Sequence, residues 1–250
     1  MRTLLMLLVA LLCQAGQAED GQPLKVIFGQ SRPPFVMVEE ASGVSVELAR
    51  EVFARMGEPF EPLFASNRRM EVELQQGRVD VAVEVQRNDP ALFYSQPFTV
   101  YRNYLVTRRR QNIRFSGDWA ELRGVSVCAW QNAAQSLGAA FVEISQGFAR
   151  YSEHSSQRTQ VEEWLLQQCD AILIDGTLLE WQWQRLRQQS PRVFGDLDRD
   201  VVYVPLPQGH ELWWYVGFRS RELRDRFDAA LAQIHADGTY QRVRQRYGLQ

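Results

Sequence analysis

The chain has 250 residues and a formal net charge of −2, and 45% of its residues are hydrophobic while 23% are charged. This composition is ordinary for a globular protein of one large domain or two small ones, and it excludes a disordered chain. The charge balance does not favour nucleic-acid binding. No metal or other cofactor is predicted, because the three histidines are far apart and the sequence lacks a zinc-ligand spacing, a phosphate loop and a nucleophile elbow.

The first 18 residues are predicted to be a secretory signal peptide. Arg2 precedes an apolar run, Leu4 to Leu12, that is too short to span a bilayer, and Gly16 and Ala18 have the spacing that a signal peptidase reads. We therefore expect cleavage after Ala18 and a soluble mature protein in the periplasm.

The first predicted strand, Lys25 to Gly29, leads into a rigid corner, "QSRPPFVMVE". Pro33 and Pro34 fix φ and lack backbone donors, so the chain must leave the sheet there. In α/β proteins, ligands bind outside the carboxyl ends of strands. The corner is therefore a candidate edge of a binding site.

Strand-like runs alternate with helical ones along the chain, and this alternation predicts α/β architecture with largely parallel sheets. After the first, the strand-like runs are Val79 to Val85, Val125 to Ala129, Ala171 to Ile174 and Val201 to Pro205. A similar module of helix, turn and strand occurs twice, as "ELQQGRVDVAVEV" and "WLLQQCDAILID". Two similar modules predict two lobes with a cleft between them.

Two helices are predicted from apolar residues at helical spacing, and both are expected to face the core. The apolar face of the first helix consists of Val46, Ala49, Val52, Phe53 and Met56, and that helix is predicted to end at Gly57. The apolar face of the second consists of Leu223, Phe227, Leu231 and Ile234, and that helix is followed by Gly238.

Two cysteines, Cys128 and Cys169, remain after the predicted processing. An oxidising compartment permits a disulfide between them, although the sequence does not show whether the geometry allows one. Two buried thiols are the alternative.

Several pieces of the chain, taken in order, resemble the bacterial periplasmic solute-binding proteins of the polar amino-acid type, which serve ABC importers. They are "SRPPFVM" followed by "GVSVELAREVFARMG", "LQQGRVDVAV", "YSQPF", "LRGVSVCAWQNA", "CDAILID" and "GFRSRELRDRFDAALAQIHADGTYQRVRQRYG". The resemblance implies the type II fold, in which two lobes, each a mostly parallel sheet flanked by helices, close over a small polar ligand. One lobe is expected to hold residues 19–100 and 206–250, and the other residues 101–205. An inner-membrane ABC permease is the expected partner of a monomeric protein.

The resemblance places four candidate ligand contacts in the first part of the chain. Arg32 occupies the corner position where the family commonly has an aromatic residue, and it is expected either to hold a ligand carboxylate or to be a solvated loop residue. Phe35 follows it and has core packing as its alternative. Asn67 stands at the helix position of another family aromatic, with helix capping as its alternative. Arg69 matches an arginine that anchors an acid.

The loop after the "VDVAV" run carries two further candidates. Family members that bind amino acids usually have hydroxyl residues there and an arginine that clamps the ligand α-carboxylate. In this chain Glu84 takes a hydroxyl position, and Arg87 lies one residue from the expected spacing. Arg87 is expected to provide the clamp if the ligand is an amino acid.

In the second lobe, "WQNAAQ" matches a family segment where a helix N-terminus presents backbone N–H groups to the ligand carboxylate. Trp130, Asn132 and Ala133 are the candidate contacts in this segment. Core packing is the alternative for Trp130.

Asp175 matches the family acid that receives the ligand ammonium group. Its alternative is to cap the helix that is predicted to begin near Thr177. Tyr151 and Glu153 end the preceding strand and are expected either to face the same cleft or to lie on the surface.

The resemblance leaves three functions open, because fold does not fix function. Capture of a small zwitterionic or carboxylated solute for an ABC importer is the main prediction. A dehydratase similar to cyclohexadienyl dehydratase is the enzymatic alternative, with Glu84 or Glu153 as general acid. A ligand sensor for a membrane receptor is the third.

Overall fold

The computed structural model describes residues 23–194 and 200–249, in which strands and helices alternate. The strands are β1 (Leu24–Phe28), β2 (Phe60–Phe64), β3 (Val81–Val85), β4 (Phe93–Tyr94), β5 (Thr99–Arg108), β6 (Ser126–Trp130), β7 (Arg150–His154), β8 (Ala171–Asp175), β9 (Val201–Pro205) and β10 (Glu211–Phe218). The helices are α1 (Val44–Met56), α2 (Asn67–Gln75), α3 (Ala133–Leu137), α4 (Ala139–Ser145), α5 (Gln157–Leu165), α6 (Gly176–Gln189), α7 (Pro191–Phe194), α8 (Arg221–Ala236) and α9 (Thr239–Arg246). The predicted signal peptide lies outside the described residues.

The strands follow one curled path in the order β2-β1-β3-β10-β5-β8-β6-β7. Each half has a parallel centre, since β1 pairs with β2 and β3 in one half and β6 pairs with β7 and β8 in the other. The antiparallel pairings involve β4, β5, β9 and β10. The predicted α/β class with two sheet halves is confirmed.

Strand β5 belongs to both halves. Its residues Thr99 to Arg102 pair with β10, whereas Asn103 to Thr107 pair with β8. The backbone N–H of Asn103 donates to the carbonyl of His210, and its side-chain amide donates to the carbonyl of Gly209. The chain therefore crosses between the halves in β5 and again near Gly209 and His210. Asn103 connects these two crossings by hydrogen bonds.

The predicted amphipathic helices pack together against the sheet. In α1, Val46, Ala49, Val52 and Phe53 are buried while Met56 is partly exposed, and in α8 the buried residues include Phe227, Leu231 and Ile234. The rings of Phe53 and Phe227 lie 5.4 Å apart. Helix α1 ends at Gly57, whose φ of 73° favours glycine.

The five predicted strands are present, with shifted ends. The strand predicted from Val79 begins at Val81, and Asp80 just before it accepts the backbone N–H of Lys25 through its carboxylate at 2.9 Å. Within residues 23–194 and 200–249, no helix is both long enough and apolar enough to cross a bilayer.

A disulfide joins Cys128 in β6 to Cys169 in the turn before β8, with a Cα separation of 6.0 Å. Both residues are buried. The bridge resolves the alternative that the sequence left open, and it fixes the neighbouring strands of the second half to each other.

The double variant Cys128→Ser/Cys169→Ser should unfold more easily, because the bridge spans 41 positions of sequence. Loop-closure entropy sets the loss in the free energy of unfolding at about 4 kcal/mol. Urea denaturation followed by circular dichroism measures it, and the unmodified chain in reductant should match the variant. Identical curves for the oxidised chain and the variant would contradict the bridge.

Candidate ligand-binding site

A cavity of about 90 Å³ lies where the two halves meet. The half that contains β1 and β10 contributes Arg32, Tyr101, Leu212 and Trp214. The other half contributes Asn103, Trp130, Gln157, Ile174, Asp175 and Leu178. Because a single water requires about 10–15 Å³ on a comparable measure, the cavity is large enough for a small organic group.

Arg32 reaches this cavity from the corner after β1. Its backbone N–H donates to the carbonyl of Val36 at 2.7 Å, which holds the turn through Pro33 and Pro34. Its guanidinium carbon lies 4.9 Å from the ring centre of Tyr101 and 5.5 Å from that of Trp214. Arg32 is therefore a fixed part of the cavity wall and not a solvated loop residue.

The partner of Arg32 is Glu84, whose Oε2 lies 2.6 Å from Nη2 of the arginine. The Glu84 carboxylate also accepts hydrogen bonds from Ser45 at 2.6 Å, Thr99 at 2.8 Å and the Tyr101 hydroxyl at 3.1 Å. Burial by itself would lower the pKa of Arg32, but its interactions with Tyr101 and Glu84 raise that pKa. Glu84 thus serves as an internal counter-ion for Arg32.

A β-bulge in the sheet turns the side chain of Glu84 toward these donors. Its φ is 64°, an uncommon value for a residue with a side chain. The pairing of β3 with β10 shifts register at this point. Such bulges redirect side chains beside functional sites.

Asp175 enters the cavity from the second half, at the end of β8. Its Oδ1 accepts the backbone N–H of Leu178 at 2.9 Å, and its Oδ2 accepts that of Arg102 at 2.6 Å. Burial raises its pKa from 3.8 to about 6, and hydrogen bonds from Leu178, Arg102 and Thr177 oppose that rise. Asp175 therefore caps α6, which begins at Gly176, and lines the cavity at the same time.

The candidates near α3 divide between the cavity and a separate cluster. Trp130 lines the cavity. The Glu153 carboxylate accepts the backbone N–H groups of Asn132 at 2.7 Å and Ala134 at 2.8 Å, and also the Tyr151 hydroxyl at 2.8 Å. Ala133 is buried in the core. The donors expected to hold a ligand carboxylate thus hold an internal one.

Four other predicted contacts lie outside the cavity lining. Phe35 is buried, and its ring centre lies 4.3 Å from that of Tyr101. The Arg69 side chain is 73% exposed and pairs with Glu73. Arg87 donates to the carbonyl of Ser95 at 2.8 Å and lies over the ring of Tyr215. Asn67 is exposed, and it does not cap α2, because that cap is Ser66, one residue earlier.

None of the other seven lining residues was predicted from the sequence as a ligand contact, and four of these are Tyr101, Asn103, Leu212 and Trp214. They lie on β5 and β10, the strands that carry the chain past the cavity. The available signal is spacing, since Tyr101 and Asn103 are two positions apart, as are Leu212 and Trp214. In a strand, residues two positions apart lie on the same face.

A cluster of metal-ligating residue types lies away from the cavity. Ligand atoms of Cys128, His154 and Glu163 lie within 4.8 Å of one another. The sulfur of Cys128 is bonded to Cys169. Because a metal requires the thiolate, this cluster is not a metal site while the bridge is intact.

Glu84→Gln should destabilise the protein, because it leaves the buried Arg32 without its counter-ion. Breaking such a pair lowers the free energy of unfolding by about 3 kcal/mol. The matched control is Glu211→Gln, which breaks the exposed pair with Arg102 and should cost no more than about 1 kcal/mol. Equal losses in urea denaturation would contradict the assigned role of Glu84.

The raised pKa of Asp175 should make stability depend on pH. Between about pH 4 and pH 6 the native carboxyl holds a proton that the unfolded chain releases, so the free energy of unfolding falls as pH rises through this window. The total change is about 3 kcal/mol. Asp175→Asn cannot ionise and still provides a good cap.

The variant should therefore gain stability relative to the unmodified chain across this pH window. Urea denaturation of both proteins at several pH values measures the difference. A difference that stays constant with pH would show that the Asp175 carboxyl titrates normally.

Comparison with solved structures shows the same fold. The GluR0 ligand-binding core in complex with L-glutamate has a TM-score of 0.68 at 14% identity, over 91% of this chain and 99% of that one. A histidine kinase sensor domain similar to periplasmic binding proteins gives 0.67 at 18% identity, over 90% and 96%. AbpA, an amino acid ABC transporter substrate-binding protein from Streptococcus pneumoniae bound to L-arginine, gives 0.64 at 16% identity, over 90% and 94%.

Comparison with curated proteins finds no match. Residues 24–250 match the model of one protein family, described as bacterial extracellular solute-binding proteins, family 3. The match spans both halves of the sheet and the cavity between them. This chain therefore belongs to the bacterial extracellular solute-binding proteins of family 3.

Proposed function

We propose that this protein captures a small solute with a protonated amino group, an amino acid or a related amine, by closing its two lobes over the cavity. One observation carries the proposal: Arg32 from one half, paired with Glu84, and Asp175 from the other half line a single cavity that Trp130 and Trp214 also line. A few polar groups in a mostly apolar hollow are typical of a small-molecule site.

Closure of the lobes is expected because each half supplies part of the cavity wall. A solute that contacts both parts stabilises the closed arrangement over an open one. We propose lobes of residues 19–100 with 206–250 and of residues 101–205. The change of partner along β5 between Arg102 and Asn103 supports this division.

The proposed destination of the solute is an ABC permease in the inner membrane, with the protein acting as a monomer in the periplasm after cleavage near Ala18. Membership of an extracellular solute-binding family supports this, as does the likeness to AbpA. A sensor role is the second candidate, and the likeness to a histidine kinase sensor domain favours it. Loss of solute uptake on deletion would identify the transporter.

The hydrogen bonds of Glu84 and Glu153 argue against the dehydratase alternative. Both carboxylates accept hydrogen bonds from several donors of the protein itself. A general acid must donate a proton to the substrate, and these carboxylates are arranged as acceptors.

A thermal-shift panel of amino acids, amines, dicarboxylic acids and sugars tests the proposed function. At about a hundred times its dissociation constant, a solute adds about 2.7 kcal/mol of stability, which raises the melting temperature by about 5 to 10 °C. We expect this shift only with solutes that carry an amino group. A shift with sugars or dicarboxylic acids instead would overturn the proposal.

Two neighbouring tryptophans provide matched variants for this panel. Trp214→Phe should reduce the ligand-induced shift, because Trp214 lines the cavity. Trp213→Phe should leave the shift unchanged, because Trp213 is exposed and does not line the cavity. Equal shifts in both variants would place the solute elsewhere.

A further inference from the structure

We infer that the cavity selects organic monocations, amines without a carboxylate, over zwitterionic amino acids. This inference rests on the proposed function and names the solute class of the same site. It depends on which charged groups of the cavity remain available to a solute.

Asp175 receives hydrogen bonds but no compensating charge. The backbone N–H groups of Leu178 and Arg102 donate to its carboxylate, and Thr177 donates to it as well. None of these donors carries a formal charge. Within the described residues, Asp175 is thus a buried carboxylate in the cavity wall that is hydrogen-bonded but has no positively charged partner. An ammonium group on the solute would supply that charge.

Arg32 is poorly placed to receive a second carboxylate. Its Nη2 donates to Glu84 at 2.6 Å, and its planar face is packed against Tyr101 and Trp214. Its Nε is closed off from solvent and has no hydrogen-bond partner among the described residues. A solute carboxylate that approached this guanidinium would also approach the negative charge of Glu84.

The donors that the family resemblance predicted for a ligand carboxylate are occupied by acceptors of the protein. The N–H groups of Asn132 and Ala134 hold Glu153. Arg69 holds Glu73, and Arg87 holds the carbonyl of Ser95. The chain thus fills with its own acceptors the positions predicted for the carboxylate of a zwitterion.

The net charge of the site also favours a monocation over a zwitterion. Arg32, Glu84 and Asp175 together carry a net charge of −1 when all three are ionised. A bound monocation makes the closed site neutral, whereas a zwitterion leaves one uncompensated charge. Buried charge is costly unless it is paired.

The cavity walls indicate the rest of the solute. Trp130, Ile174, Leu178 and Leu212 offer apolar and aromatic surface to the body of an amine, and an indole face also attracts a cation. Among the described residues, the buried indole N–H of Trp214 has no hydrogen-bond partner, like Nε of Arg32. A neutral acceptor in the solute, such as a phenol oxygen, adds no negative charge beside Glu84.

Isothermal titration calorimetry near neutral pH with two matched series tests the inference. The first is tyramine, tyrosine and 3-(4-hydroxyphenyl)propanoate, and the second is isoamylamine, leucine and 4-methylpentanoate. Within each series the body is held nearly constant and the charged groups change. In at least one series we expect the amine to bind about tenfold or more tightly than the amino acid, and the anion to bind more weakly still.

Tighter binding of tyrosine or leucine than of its amine would overturn the inference while leaving the proposed function intact. No binding in either series would overturn the inference, and a thermal shift with sugars or dicarboxylic acids but with no solute that carries an amino group would overturn the proposed function as well. The two failures are therefore distinguishable.

Asp175→Asn should weaken amine binding by about tenfold or more, because it removes the charge but keeps a side chain that caps α6. The matched control is Asp118→Asn, since Asp118 also caps a helical turn, outside the cavity. Equal affinities in the Asp175 variant and the unmodified chain would overturn the inference. Circular dichroism confirms that each variant is folded.

Glu84→Gln gives a second readout, because it releases Arg32 from its internal carboxylate. Where this variant folds, the preference for amine over amino acid should fall by about tenfold. An unchanged preference would show that Glu84 does not exclude carboxylates. If the variant does not fold, Asp175→Asn alone decides between the outcomes.

Discussion

The buried pair of Arg32 and Glu84 is the interaction on which the site depends. Glu84 draws together Ser45 at the start of α1, Thr99 and Tyr101 on β5, and Arg32 from the corner after β1. These segments are far apart in sequence, and one carboxylate fixes their positions in the first lobe. A buried pair is costly unless its geometry is good and its remaining hydrogen-bonding positions are filled. Four side-chain donors around Glu84 meet that condition.

Asp175 has a corresponding position in the second half of the sheet, but without a positively charged partner among the described residues. It caps α6 and also accepts the backbone N–H of Arg102, on the strand that belongs to both halves. In the proposed closure, a solute that contacts Asp175 lies close to this crossing strand. A solute that contacts both Asp175 and the other half would then favour the closed arrangement.

Much of the fold could be predicted from the sequence, because α1, α8 and the central strands have clear apolar periodicity. The crossing strand β5 could not be predicted in the same way. Its pairing changes from β10 to β8 along its length, and no local sequence pattern encodes that change. Individual residues such as Arg32 and Asp175 could be placed near the cleft. Two contacts could not be predicted from local spacing, because they join residues far apart in the sequence. Arg32 pairs with Glu84, and Glu153 accepts backbone N–H groups at the start of α3.

Both proposals require that the protein balances the charge of Arg32 internally and leaves Asp175 for the solute. A crystal structure of the complex with the tightest-binding amine is the decisive measurement. We expect the solute nitrogen within hydrogen-bond distance of the Asp175 carboxylate, with the Arg32–Glu84 pair intact and the lobes closed. A solute bound to Arg32 through an acidic group, with Glu84 displaced and Asp175 untouched, would overturn both proposals.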